Sequence, residues 1–143
     1  MMKKRIWLVG GIIGILILLV GVGYLYQKYT TALYANWSIR LSINYTEVYS
    51  KDSGPSFLGD GERYHVFRYK DINDIENDLE WETNKNTIVE NNVIQIIDNL
   101  KIDSKYQINF NQTYKYYEKY SGDGSSLYLI LIDNLLYVVE SFF

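Results

Sequence analysis

The sequence predicts an α+β protein: an N-terminal transmembrane helix, then a small antiparallel sheet of about five strands with two helices packed on one face. Three observations carry that prediction. Residues 6–26 hold no charged side chain. Two blocks, 37–69 and 106–142, are rich in aromatic and β-branched residues, with apolar positions recurring at period two in several places, the spacing of a half-buried strand. Between them, 71–100 changes to the i, i+3, i+4 spacing of an amphipathic helix.

The first 26 residues divide in two. Met1 to Arg5 carries three positive charges, and the uncharged run 6–26 is built mainly from Ile, Leu, Val and Gly. As a helix at 1.5 Å per residue that run covers about 30 Å, the thickness of a hydrocarbon core, and lipid requires its backbone groups to be satisfied internally. Lys3, Lys4 and Arg5 before it, with Trp7, Tyr24, Tyr26 and Tyr29 near its ends, match the positive-inside rule and its aromatic anchors. The expected organisation is a cytoplasmic basic tail (1–5), a transmembrane helix (6–26), a juxtamembrane linker (27–35) and an extracytoplasmic α+β domain (36–143). The competing reading is a cleaved signal peptide, whose apolar region is usually 7–15 residues long. Gly10 and Gly14 form a GxxxG pair with Gly21 on the same face, a helix-packing stripe that allows a homodimer through the membrane helix.

The outer part begins with Trp37, Ile39, Leu41, Ile43 and Tyr45 alternating with polar residues, a strand signal that continues through Tyr49. A turn-rich loop over 51–61 and a second strand over 63–69 follow. Asp71 can cap a helix over about 71–82, with Asp71, Asp74, Asp78 and Glu82 on one stripe. Thr87 and Glu90 match a capping box ahead of a helix over 87–100; one long kinked helix is the alternative to two. Tyr106, Ile108 and Phe110 alternate as a strand and run into the Tyr-rich segment up to Tyr120. Residues 127–132 and 135–142 flank Asp133-Asn134, a two-residue hairpin turn. Both are apolar on either face, which places them at the sheet centre.

The loop Asp52-Ser-Gly-Pro-Ser-Phe-Leu-Gly-Asp-Gly-Glu62 resembles that of a group of short, uncharacterised Gram-positive bacterial proteins carrying Asp-Ser/Thr-His-Gly-Gly-Phe-x-Gly-Asp-Gly-Glu. In that group an aromatic strand, a Trp-bearing helical middle and a Tyr-rich closing hairpin follow, as 63–69, Trp81 and 127–142 do here. Gly54, Pro55 and Ser56 replace His-Gly-Gly, and the group's Leu-Pro-Leu run is absent. The resemblance implies a membrane-tethered or secreted placement and a shared fold, and it implies no activity.

Composition excludes several chemistries. With no cysteine there is no disulfide scaffold, thiolate metal site, Cys nucleophile or Cys lipidation. Residues 6–143 hold 11 Lys/Arg against 17 Asp/Glu, which argues against nucleic acid as a partner. His65, the one histidine, stands mid-strand with no HExxH or GxSxG pattern around it. One copy of the Asp-box pattern at 50–57 cannot build a propeller.

Three site readings remain. Asp52, Phe57, Gly59, Asp60, Gly61 and Glu62 form a loop motif that is structural or binding, with turn geometry favoured over calcium ligation. Tyr114, Tyr116, Tyr117 and Tyr120 offer a binding surface if exposed, or sheet core if not. Gly10, Gly14 and Gly21 are helix-packing positions. No catalytic residue, metal or cofactor is expected. The function that fits best is a single-pass membrane-anchored binding or interaction protein of the bacterial envelope, with immunity or phage exclusion as its concrete version. Its partner is another envelope or foreign protein, or a glycan. An accessory subunit of a membrane complex is the alternative, followed by a small carboxylate-dependent envelope hydrolase using Asp52, Asp60 or Glu62.

Overall fold

The computed structural model describes residues 2–26, 29–54 and 60–143; the side chains of 2–9, 24–26 and 31 lie outside that description. The chain divides into two units, Met1–Ile43 and Asn44–Phe143, a boundary eight residues later than the expected one after 35.

The first unit holds helices α1 (Met2–Tyr26) and α2 (Tyr29–Trp37). Every side chain described in α1, from Gly10 to Gly23, is exposed, and a Cβ added at Gly10, Gly14 or Gly21 would meet nothing within 4 Å. Among the described residues no helix is long and apolar enough to cross a membrane. Helix α2 stops where Ser38 takes φ 57° and donates its N–H to the Tyr34 carbonyl at 2.9 Å. The strand expected from Trp37 does not form until Tyr45. Its period of two is nevertheless real in exposure: Trp37, Ile39 and Leu41 are buried, Ser38 and Arg40 exposed. Alternation reports which side chains face solvent and carries no information on whether a neighbouring strand pairs.

The second unit is a five-stranded sheet of order β1-β2-β5-β4-β3, with every pairing antiparallel. The strands are β1 (Tyr45–Asp52), β2 (Gly61–Tyr69), β3 (Lys115–Tyr120), β4 (Ser126–Ile132) and β5 (Leu135–Phe142). The α+β class and the five strands are as the sequence predicts, and β5 lies at the centre with β4 beside it. Every residue of β4 is buried, as two-sided apolar character requires. Asp133, at φ 51°, and Asn134 make the tight hairpin turn between them. A register shift between Glu47 and Tyr49 puts a bulge in edge strand β1, a common protection against edge-to-edge pairing.

Two sequence expectations fail between the strands. Helix α3 is a single turn, Asn73–Glu76, not 71–82, and the acidic stripe does not form. Asp71 Oδ1 instead accepts from the Asn73 amide at 3.0 Å. The chain is then drawn to the sheet edge: Glu82 N donates to Tyr116 O at 2.8 Å and Tyr116 N to Glu82 O at 2.9 Å. That two-way bridge competes successfully with a helix rich in like charges. Residues 106–111 make no strand either; a short 3-10 turn, Ser104–Tyr106, and bends replace it.

Helix α4 (Thr87–Leu100) forms where periodicity puts it, but its cap is Asn86 rather than Thr87. Asn86 Oδ1 accepts from Ile88 N at 3.1 Å and Val89 N at 3.3 Å. Glu90 is consequently no capping-box partner; it is buried, accepting from the Tyr114 hydroxyl at 2.8 Å. Lys101, at φ 51°, ends the helix. Its apolar stripe, Val89, Val93, Ile96, Ile97 and Leu100, packs with Tyr64, Val66, Ile130 and Val139 of the sheet in one core cluster.

Candidate functional site

Hydrogen bonds trace α4 across the sheet from one edge to the other. At its start Asn86 meets Tyr114 and Tyr116, by N–H to Tyr114 Oη at 3.0 Å and Nδ2 to Tyr116 Oη at 2.9 Å. Midway, Asn92 Nδ2 donates to Tyr128 Oη at 3.0 Å. Near its end Asn99 Nδ2 donates to Glu62 Oε1 at 2.9 Å, and Lys51 Nζ of β1 donates to the Lys101 carbonyl at 3.0 Å. A helix laid across strands leaves their ends beyond its flank uncovered. There, Asn92, Gln95 and Asn99, spaced i, i+3, i+7, stand above the first residues of β2 and β4 and the last of β3 and β5.

Two adjoining hollows follow that flank. One, about 410 Å³, is lined by Ser53, Gly54, Asp60, Gly61, Glu62, Asn99, Ser141, Phe142 and Phe143. The other, about 270 Å³, is lined by Glu62, Asn92, Gln95, Ile96, Tyr120, Gly124, Ser126, Tyr128, Ser141 and Phe143. Glu62, Ser141 and Phe143 belong to both, so they form one groove of a size that suits a small ligand. Tyr120 is 57% exposed and Phe143 75%. The Tyr120 hydroxyl donates to Glu118 Oε2 at 2.7 Å, and its ring stands edge-on to Tyr128 at 6.1 Å.

The loop motif forms the rim of this groove. Asp60, Gly61 and Glu62 line it; Phe57 and Gly59 lie outside the described residues. Asp52 does not join them, because its Oδ1 accepts from Gly54 N at 2.8 Å in a local turn. Ser53 closes the loop base, its N–H donating to Glu62 O at 2.9 Å and its Oγ accepting from Glu62 N at 3.0 Å. Gly61 leaves room for this bond: an added Cβ would sit 2.7 Å from Ser53 Oγ, and Ser53 would have to shift. Among the described residues no three His, Cys, Asp or Glu side chains come together to hold a metal.

The four tyrosines do not make one surface. Tyr114 and Tyr116 are buried and anchor the α4 cap. Tyr117 falls on the opposite face of β3 because strand side chains alternate. Only Tyr120 reaches the groove. The groove residues that sequence reasoning missed are Asn92, Gln95 and Asn99, and the signal was present as an amide stripe beside the apolar one. Ser141 and Phe143 carried no such signal.

Another cavity, about 590 Å³, lies at the other end of the sheet between Lys70, Asp71, Glu76, Lys115, Leu131 and Asn134. Its Lys115 and Glu76 neutralise each other at 2.7 Å, and it holds none of the loop motif, so the strand-end groove is the stronger candidate. Two titratable groups lie away from both. His65 Nδ1 is 2.6 Å from Glu47 Oε1; a carboxylate can only accept, so Nδ1 carries the proton. Burial holds that imidazole below its ordinary range, opposed by the bond to Glu47. Glu140, fully buried in β5, has its carboxyl pushed up to about 8 by burial.

No protein-family model, curated protein or solved structure matches the chain.

Proposed function

We propose that this chain is a single-pass membrane-anchored binding module of the bacterial envelope, held by α1 and displaying the sheet domain outside, with the strand-end groove as its binding surface. The observation that carries the reading is the exposure of α1. Between Gly10 and Gly23 all sides of the helix are apolar and none is covered. A helix of that kind belongs in lipid or a large core. Leaving its Ile, Leu and Val side chains in water costs on the order of 10 kcal/mol. The sequence continues the uncharged run to 6 and 26 and precedes it with Lys3, Lys4 and Arg5, which supports a cytoplasmic N-terminus.

The acidic balance after residue 5 disfavours an anionic lipid surface as ligand and favours a protein or a glycan. An immunity or exclusion protein would meet a foreign protein through the groove; an accessory subunit would meet its partner through Gly10 and Gly14. A reporter fused after Phe143 tests the topology. Activity outside the membrane is expected, and activity only in the cytoplasm would sink the proposal. A photo-crosslinking residue at position 120, compared with Gly14→Leu in the membrane helix, separates the groove from the glycine face. A carboxylate-dependent hydrolase is the second reading, favoured by Asp60 and Glu62 lining one hollow. An unchanged phenotype in the double variant Asp60→Asn, Glu62→Gln would eliminate it.

A further inference from the structure

We infer that the strand-end groove takes a short uncharged oligosaccharide, with one sugar face stacked on Tyr120 or Phe143 and its hydroxyls between the α4 amides and the rim carboxylates. The inference rests on the reading of this groove as the domain's binding surface and names its ligand.

Three features point to a sugar. The first is the pair of exposed rings. Tyr120 is held in place by its hydroxyl bond to Glu118 and its edge contact with Tyr128. Phe143 is held at its backbone, its N–H donating to Ser125 Oγ at 3.1 Å, and its ring lines the second hollow beside Gly124. Tyr120, fixed this way, presents a flat apolar face without losing rotamer freedom on binding, Phe143 adds a second exposed ring, and the C–H face of a pyranose is their complement.

The second feature is the mixture of donors and acceptors. A sugar hydroxyl donates and accepts at once, so it needs carboxylates and amides side by side. The groove offers Glu62 and Asp60 against Asn92, Gln95 and Asn99. The Asn99–Glu62 and Asn92–Tyr128 bonds already orient two of these amides.

The third feature is charge. Among the described residues no Lys or Arg lines either hollow, so a phosphate or an acidic sugar would meet the carboxylates of Asp60 and Glu62 there. From Asn92 to Asn99 the flank runs about 10 Å, the length of a short oligosaccharide rather than a single ring. A cationic peptide is the competing occupant.

The test uses the full chain in polyoxyethylene-detergent micelles, which carry no sugar headgroup. Calorimetric titration is run with β-1,4-linked N-acetylglucosamine tetrasaccharide, cellotetraose and tetralysine. Saturable binding of at least one tetrasaccharide is expected, weakened roughly tenfold by Tyr120→Ala and by Glu62→Gln, with the thermal midpoint of each variant unchanged. Three results overturn the inference: no saturation by either sugar, saturation by tetralysine alone, or sugar binding untouched when Tyr120→Ala and Phe143→Ala are combined. The parent reading fails separately. A protein crosslinked from position 120 without sugar binding would sink the sugar and leave the anchored module standing, whereas a cytoplasmic reporter would sink the module itself.

Discussion

Glu140 sits in the central strand with 0% exposure, opposite Arg63 on one side and Leu127 on the other. The Arg63 guanidinium lies over the Phe142 ring, 4.6 Å from its centre. Replacing Glu140 by Gln keeps the shape and removes the proton. Burial raises the folded carboxyl from 4.5 to about 8, while the unfolded chain restores its ordinary value. Between those values the folded state holds the extra proton. The contribution of Glu140 is therefore fully present below about 4.5 and is lost as pH rises towards 8, by about 1.4 kcal/mol per pH unit. At pH 7 the accumulated loss is about 3 kcal/mol by the same linkage. Glu140→Gln should match the native chain at pH 4 and exceed its stability by about 3 kcal/mol at pH 7. Urea unfolding of both proteins in non-ionic micelles from pH 4 to 8 measures this. A difference that does not change with pH, or a less stable variant at pH 7, would refute the reasoning.

Asn86→Ala removes the α4 cap and the Tyr116 bond together and should cost about 2 kcal/mol; Asn86→Asp, which keeps the capping oxygen, should recover about half in the same urea assay. Gly61→Ala drives a Cβ into Ser53 Oγ and should cost about 1–3 kcal/mol, with the penalty shrinking when Ser53→Ala is added, as a double-mutant cycle would show. The His65 imidazole should titrate by NMR below its ordinary 6.5. The unfolded chain then takes up the proton first, so this group's contribution is present above 6.5 and lost as pH falls towards the folded value; a midpoint above 6.5 would contradict the burial argument.

Much of the sheet domain was legible from local pattern. Strands β2, β4 and β5, the Asp133-Asn134 turn, α4 and the centrality of β4 and β5 all follow from side-chain spacing and two-sided apolarity. The failures share a cause. Trp37 to Leu41 alternate in burial without pairing, residues 77–82 leave a helical pattern to bridge Tyr116, and 106–111 alternate without a partner. In each, the pattern described the local chain correctly, and the outcome depended on whether a distant edge was available.

The tyrosines show the same division at the site. Composition alone identified an excess of Tyr in the last third of the chain. It could not separate Tyr114 and Tyr116, which bind the start of α4, from Tyr120, which faces the groove. What the sequence determined by itself is the apolar N-terminal helix, the types of most elements and the faces they bury, because periodicity is a property of neighbouring residues. The tertiary structure alone decided the strand order, the path of α4 from β3 to β1, and hence the groove. Those depend on contacts between residues as far apart as Glu62 and Asn99 or Lys51 and Lys101, whose pairing no local spacing encodes.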